Sequence, residues 1–473
     1  MKFERSTELP VPQSSGFTYH ARPGALARLV PPWEPVEIIR STGSILPDSE
    51  VLLRTHILGK RVDWLARHVR FEPPTLFSDV QIYGPFASWL HTHQFSVVDS
   101  NRCLLTDRID YELPLGFLGK LFGANIAARK LDAMFRFRHR QTVEDLELGR
   151  SVENIVGDSP KTIAVSGCNG LVGKSVCSLI TVLGHRLIRL DRSNDSANSE
   201  QSGSDGPSTR TPITRTHWNP QKGLTHPKDV DGVDAVIHLA GKGIGDSRWT
   251  ESVRRELISS RVDATRLLCE QLSQLRNPPK TFVSASGVGI YGDTAESIVD
   301  EGCGAADDFL GKLATDWESA SSSLEDCGSR RCFGRLGIVL DPRSGALSKL
   351  LPVVQWGLGG PLGSGKQYWS WISKEDAASA FLWLALNPSC HGAYNLVASA
   401  ETNRQFTRIL ASLIHRPSLL PAPSFALRIA LGEMADSLLL ASTKASNRKL
   451  IASGFRFRNT TLKDALSHSL GLA

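Results

Sequence analysis

The sequence predicts an α/β protein whose centre is a doubly wound parallel sheet, with an α+β domain before it and a small α-rich region after it. Three observations carry this prediction. From Lys161 onward, short apolar strands alternate with helical stretches. A glycine-rich turn joins the first of those strands to its helix. The residues ahead of them read as a strand meander closed by one long helical run without proline. A length of 473 residues suits about three domains, and we place them at 1–148, 160–416 and 417–473.

Composition narrows the class. Hydrophobic residues make up 41% and charged residues 22%, which is ordinary for a globular chain and excludes fibrous or wholly disordered proteins. The net charge of +6 is too mild for a nucleic-acid partner. The 8 cysteines include no C-x-x-C pair, which argues against a zinc knuckle or a thioredoxin-type motif. The first residues are charged and alternating, with no apolar core of a secretory signal. No run of about 18 apolar residues occurs, so no membrane span is expected. These features predict a reduced, cytoplasmic protein.

In the first segment, Phe3, Arg5, Thr7 and Leu9 alternate with Lys2, Glu4, Ser6 and Glu8, as an edge strand does. Residues 51–57, 62–71, 75–82, 89–98 and 103–113 read as further strands, punctuated by Pro, Gly, Asn and Asp. A helix follows over 115–147, with Leu118, Leu121, Phe122, Ile126, Leu131, Met134 and Phe135 at helical spacing. A curved antiparallel sheet on one long helix is the two-layer solution. In the second segment, strands are expected at 162–166, 186–190, 235–239, 281–284 and 333–339. Helices are expected at 171–183, 252–274 and 309–325. Residues 193–216, rich in Ser, Gly, Asn, Asp and Pro, read as a disordered insertion. The stretch 417–473 is expected to be largely helical.

The sharpest motif is Gly167-Cys168-Asn169-Gly170-Leu171-Val172-Gly173, directly after the strand 162–166. Gly167 permits a tight turn, Gly170 lets the backbone approach a pyrophosphate at the helix N-terminus, and Gly173 lets the helix lie close to the strand. This is the context of a dinucleotide-binding, Rossmann-type fold. At the end of the second strand, Asp191 suits the ribose hydroxyls of NAD, whereas Arg192 and Arg189 suit the 2′-phosphate of NADP. Both cofactors are open at this point.

These residues, together with Leu239-Ala240-Gly241, Ser284 to Gly292, Arg335-Leu336-Gly337 and Trp371-Ile372-Ser373-Lys374-Glu375-Asp376, resemble the extended short-chain dehydrogenase/reductases. Ser247-Arg248-Trp249, Lys312-Leu313, Trp317-Glu318, the glycine-rich stretch Gly359 to Gly365 and Tyr394-Asn395-Leu396-Val397 are similar to the epimerase-like branch formerly described as cell-division inhibitors. That branch ends in a domain of unknown function, which residues 419–470 resemble. The first segment is similar to the helix-grip superfamily of polyketide cyclases and START-type lipid carriers. The marks are Phe17, His20, Pro31-Pro32-Trp33-Glu34, Phe77-Ser78-Asp79, His91 and His93-Gln94-Phe95.

The resemblance implies that Gly167, Asn169, Gly170, Leu171, Val172, Gly173, Asp191, Arg192, Leu239, Ala240, Gly241 and Lys312 hold NAD or NADP. It also implies a catalytic Ser at Ser286 and a catalytic Lys at Lys312. The superfamily's Tyr stands four residues before its Lys. Here that position is Asp308. Tyr291 or Asp308 would then handle the proton, the carboxylate only if burial raises its pKa. The glycine stretch followed by Lys366 would contact a substrate phosphate or simply turn the chain.

His91 and His93 alternate along a strand with no third ligand at metal spacing, so no metal is expected. The helix-grip resemblance implies an apolar cavity for a hydrophobic ligand, with a filled core as the alternative. Two functions follow. One is an NAD(P)-dependent oxidoreductase or epimerase acting on a carbinol or nucleotide-sugar-like small molecule. The other is a cofactor-binding, weakly catalytic ligand carrier or sensor.

Overall fold

The computed structural model describes residues 1–57, 59–114, 116–192 and 213–472. The first domain is a seven-stranded antiparallel sheet in the order β1-β7-β6-β5-β4-β3-β2. Its strands are β1 (Lys2–Leu9), β2 (Glu37–Ser41), β3 (Glu50–Ile57), β4 (Lys60–Glu72), β5 (Leu76–Tyr83), β6 (Ser88–Val97) and β7 (Cys103–Glu112). As the alternation predicts, β1 is an edge strand and pairs only with β7. Helices α1 (Gln13–Ala21) and α2 (Ala25–Leu29), and strand β2, were not anticipated. They span only five to nine residues each, too few to show a clear period.

Helix α3 (Gly116–Val156) runs past the boundary drawn at 148. No proline interrupts it, and Gly157 closes it with φ +78°. Its two ends differ. Leu131 and Phe135 are buried against the sheet, whereas Phe117, Leu121, Phe122 and Ile126 are exposed. Helical spacing alone places all of them on one buried face; packing against the sheet begins only at about Ala127.

The second domain is an eight-stranded sheet in the order β11-β10-β9-β8-β12-β13-β15-β18. Its strands are β8 (Thr162–Ser166), β9 (Arg186–Asp191), β10 (Ile213–Asn219), β11 (Gly223–Leu224), β12 (Ala235–His238), β13 (Thr281–Gly287), β15 (Arg330–Leu336) and β18 (Gly392–Leu396). All neighbours are parallel except β10 and β11. Of the expected insertion, residues 193–212 lie outside the described residues. Residues 213–216 belong to β10 and pair with β9, which corrects that end of the expectation.

The helices are α4 (Leu171–Val182), α5 (Glu251–Ile258), α6 (Ala264–Ser273), α7 (Phe309–Ser319), α8 (Gly345–Gln355) and α9 (Lys374–Leu386). The helix expected over 252–274 is divided by a π-turn at Ser259–Asp263. The one expected over 309–325 stops at Ser319. The serines that follow, Ser321 to Ser323, compete for backbone groups and leave only a 3₁₀ turn. In α9 every residue from Glu375 to Leu386 is buried, so it lacks a polar face.

The remaining residues add two small sheets. One joins β16 (Ile338–Leu340), β17 (Tyr368–Ser373) and β19 (Ser399–Thr402). The other pairs β14 (Ile298–Val299) with β20 (Lys444–Ala445). They also add α10 (Asn403–Leu413), α11 (Ser424–Leu431), α12 (Glu433–Ala435), α13 (Arg448–Ala452) and α14 (Leu462–Leu470).

The domains share a core. One hydrophobic cluster runs from Leu9, Phe17 and Leu29 of the first domain through Val176 and Ile180 of α4 to Phe381 of α9. At the seam, Asp145 of α3 is fully buried and receives hydrogen bonds from Tyr19, Arg28, Gln141 and Arg458. Arg28 also donates to Ser175 of α4 at 2.7 Å.

Candidate active site at the ends of the parallel strands

Strand β8 lies between β9 and β12, where the strand order reverses, which is where open α/β sheets bind ligands. Gly167 leaves the strand with φ +73°. A Cβ there would stand 2.7 Å from the Leu239 carbonyl carbon and 2.8 Å from the Ala240 nitrogen. Only glycine lets the two loops touch. The Gly170 N–H donates to the Gly167 carbonyl at 2.9 Å, closing the turn. Gly170 is the N-cap of α4 and offers no side-chain cap, and no acidic residue stands in the first turn. The first helical N–H groups, from Leu171, Val172 and Gly173, are therefore open to an anion. At Gly173 a Cβ would lie 2.1 Å from the Gly167 carbonyl oxygen. This backbone cradle fits a dinucleotide pyrophosphate.

The strand-end charges are arranged differently from the expectation. Arg189, not Arg192, reaches the glycine loop, donating to the Asn169 side chain at 2.9 Å. It also forks onto Asp191, Nε to Oδ2 at 3.1 Å and Nη2 to Oδ1 at 3.3 Å. Arg215 on β10 lies 3.9 Å from the same carboxylate. Asp191 is thus met by two guanidiniums. The Arg192 side chain is exposed. Beyond β12, Arg261 of the π-turn donates to the Lys242 carbonyl at 2.7 Å and props the loop that holds Gly241.

Ser286 sits on β13, two residues beyond the partner of His238, at the same edge of the sheet as Leu239 and Ala240. Parallel register aligns Ser286 with Arg335 of β15, and Arg335 with Asn395 of β18. The Ser286 hydroxyl donates to Glu318 of α7 at 2.7 Å. Arg335 grips both oxygens of that carboxylate at 2.9 Å and donates to the Tyr291 hydroxyl at 2.8 Å. Tyr291 in turn donates to Asn395 at 2.8 Å. Glu318, Arg335 and Asn395 were not singled out as chemical groups from the sequence. Their signal was a charged or amide residue within otherwise apolar family-like stretches.

The two candidates for the missing tyrosine are otherwise engaged. The Tyr291 hydroxyl is held on both sides, and burial, against Arg335, raises its pKa. Asp308 caps α7, accepting from the Gly311 N–H at 2.8 Å, and is exposed, so the burial that a general base requires is absent. Lys312 is largely exposed and pairs with Asp307 at 2.8 Å. In the glycine stretch, Gly360 and Gly363 pack against Leu420 and Leu440, which fits the turn reading.

Of the first-domain histidines, His20, His91 and His93 all face the interior between sheet and helix. Aromatic rings share that space, with Phe17 5.6–5.9 Å from Phe71, Phe77 and Phe95. The expectation that His91 and His93 lack a third ligand meets a correction. Asp79, on the neighbouring strand, stands opposite His91.

Residues 163–396 match the model of the NAD dependent epimerase/dehydratase family, 9–135 that of polyketide cyclase / dehydrase and lipid transport, and 422–469 that of a domain of unknown function, DUF1731. An epimerase family protein of Mycobacterium leprae is 36% identical over 65% of this chain and 95% of its own length. One of Bacillus subtilis is 34% identical over 64% and 96%. Among solved structures, a nucleoside-diphosphate sugar epimerase from Corynebacterium glutamicum aligns with a TM-score of 0.78 at 28% identity, covering 99% of this chain and 90% of that one. A human epimerase family protein solved with NADPH aligns with a TM-score of 0.54 at 28% identity, over 65% of this chain and 99% of its own.

Proposed function

The chain belongs to the epimerase family, and on that premise we propose that it uses NADP(H) to oxidise, reduce or epimerise a carbinol carbon of a nucleotide-sugar-like molecule. The observation that carries this reading is the Ser286–Glu318–Arg335 clamp at the sheet edge that also bears the glycine cradle. The names of the two solved relatives support the substrate class and the cofactor.

Gly167 to Gly173 would hold the pyrophosphate through backbone N–H groups, with Leu239, Ala240 and Gly241 closing the other wall. When bound, the nicotinamide supplies reversible hydride transfer. Asp191 is the residue that would favour NAD, but Arg189 and Arg215 neutralise it and leave guanidinium available for a 2′-phosphate.

Hydride removal from a carbinol requires its hydroxyl proton to leave. Ser286 accepts that proton as it passes its own to Glu318. Arg335 holds the carboxylate in place for that transfer. This relay stands in for the absent tyrosine, because Tyr291 and Asp308 are committed elsewhere. Lys312, exposed on α7, would meet the nicotinamide ribose as the family pattern implies.

The test is fluorescence titration of the full chain with NADPH and NADH, followed by turnover assays on nucleoside-diphosphate sugars. NADPH is expected to bind more tightly. Arg189→Ala should weaken NADPH about tenfold or more, as loss of a charged hydrogen bond does, with less effect on NADH. Glu318→Gln should lower turnover and leave NADPH binding intact. Equal affinity for the two cofactors would remove the NADP assignment, and no binding of either would remove the enzymatic reading.

A further inference from the structure

The first domain holds a buried cluster of histidines and aspartates that the reaction above does not use. Antiparallel register assembles it. Asp79 of β5 faces His91 of β6, and His93 of β6 faces Asp107 of β7. His91 and His93 are two residues apart on one strand and so share its inner face. Asp107 Oδ1 lies 3.0 Å from His91 Nε2 and 2.6 Å from His93 Nδ1, and its Oδ2 lies 2.6 Å from His139 Nε2 of α3. Asp79 Oδ2 lies 3.5 Å from His91 Nδ1. His68 of β4, His20 of α1 and Arg138 of α3 stand around the group.

Hydrogen bonds to Asp107 hold one ring nitrogen each of His91 and His139, and two other ring nitrogens of the cluster are left over. His93 Nδ1 approaches Asp107 without the alignment of a hydrogen bond and has no other partner. His139 Nδ1 has none either. Both rings are buried. A buried polar atom left unpaired costs about 1–3 kcal/mol, and of the two only His93 belongs to the set of donors that converge. The donor atoms of Asp79, His91 and His93 all lie within 4.8 Å of one another. Tetrahedral donors about 2.0–2.1 Å from an ion stand about 3.4 Å apart, so a small inward movement of the side chains closes the set.

We propose that Asp79, His91 and His93 bind one divalent transition-metal ion of the zinc type, with Asp107 orienting His91 from the opposite side. Two imidazoles and one carboxylate form a three-ligand set that leaves a coordination position open. A carboxylate that accepts the far N–H of a ligating imidazole fixes its tautomer. With Asp107 on His91 Nε2, the nitrogen left for the metal is Nδ1, which is the one facing Asp79.

The experiment uses the full chain. Protein stripped by a chelator is titrated with Zn²⁺ and, separately, with Co²⁺, and bound ion is counted by mass spectrometry after desalting. One ion per chain is expected, with the visible Co²⁺ absorption of a four-coordinate nitrogen–oxygen site. Asp79→Asn and His93→Gln should each lower affinity at least tenfold, and Asp107→Asn by about 10–100-fold. His56→Gln, an exposed control on β3, should change nothing. Circular dichroism and NADPH titration of each variant separate loss of the ion from loss of the fold. If a variant misfolds, the Co²⁺ spectrum of the unaltered chain decides. Absence of bound ion, binding that survives both ligand substitutions, or a six-coordinate Co²⁺ spectrum overturns the proposal.

Discussion

Replacing Asp145 by asparagine tests how the seam between the domains is held. The carboxylate is fully buried and takes Arg28 through Nε at 2.9 Å and Nη2 at 2.6 Å, Arg458 at 2.6 Å, Gln141 at 2.8 Å and the Tyr19 hydroxyl at 2.8 Å. The two guanidinium side chains are only 3% and 5% exposed. Asparagine keeps the shape but removes the countercharge and turns one acceptor into a donor facing donors. Arg458 retains Glu144 at 3.4 Å, whereas Arg28 has no other carboxylate among its described bonds. Unpairing a buried ion pair costs about 3–5 kcal/mol. At about 2–4 °C per kcal/mol for a large domain, the melting temperature should fall by about 6–20 °C.

Differential scanning fluorimetry of the full chain reads this directly. The double variant Arg28→Met/Asp145→Leu should recover much of the loss, because apolar replacement removes the unpaired charge. Burial pushes the Asp145 pKa up, but Arg28 and Arg458 pull it well below the carboxylate range. Its contribution is therefore present above pH about 3.9 and fades as pH falls toward the depressed value. A single variant melting within about 1 °C of the parent, below about 0.5 kcal/mol, would refute the reasoning.

Other outcomes follow from the same geometry. Burial raises the Asp376 carboxyl to about 6, against hydrogen bonds from the Arg458 N–H and Ser373. The folded state then holds a proton that the unfolded chain has released. Stability should fall by up to about 3 kcal/mol as pH rises from about 4 through 6, and Asp376→Asn should flatten that limb of a pH–melting curve. Gly173→Val puts side-chain atoms onto the Gly167 carbonyl and should abolish NADPH binding in a fluorescence titration. Tyr291→Phe removes a hydroxyl bonded to Arg335 and Asn395; urea unfolding should record a loss of about 1–3 kcal/mol with NADPH affinity unchanged.

The parts of this protein that local patterning controls were legible in its sequence. The edge strand at Lys2–Leu9, the meander and the glycine turn after Thr162–Ser166 each follow from a period or a turn chemistry. Groups joined by sheet order were not legible. Ser286, Arg335 and Asn395 are far apart along the chain and become neighbours only because β13, β15 and β18 lie side by side. Asp79 meets His91 by the same logic, across a hairpin register that composition does not fix. The end of α3 was missed because Arg150, Ser151, Glu153 and Asn154 dilute the apolar pattern there, although Leu148, Val152 and Val156 pack on the shared core.

The shared core bears on how this molecule is dissected. α4 starts at the phosphate cradle, lays one flank on the parallel sheet and the other under α2. Gly24 sits so close to it that a Cβ would stand 2.4 Å from Thr181 Oγ1. The cut at the end of α3 that looks natural on a domain diagram would bare the outer flank of the very helix that receives the cofactor. A trimmed chain beginning near Lys161 must first grow a new polar skin along α4, so point changes in α1 to α3 are the sharper instrument for learning what the first domain contributes.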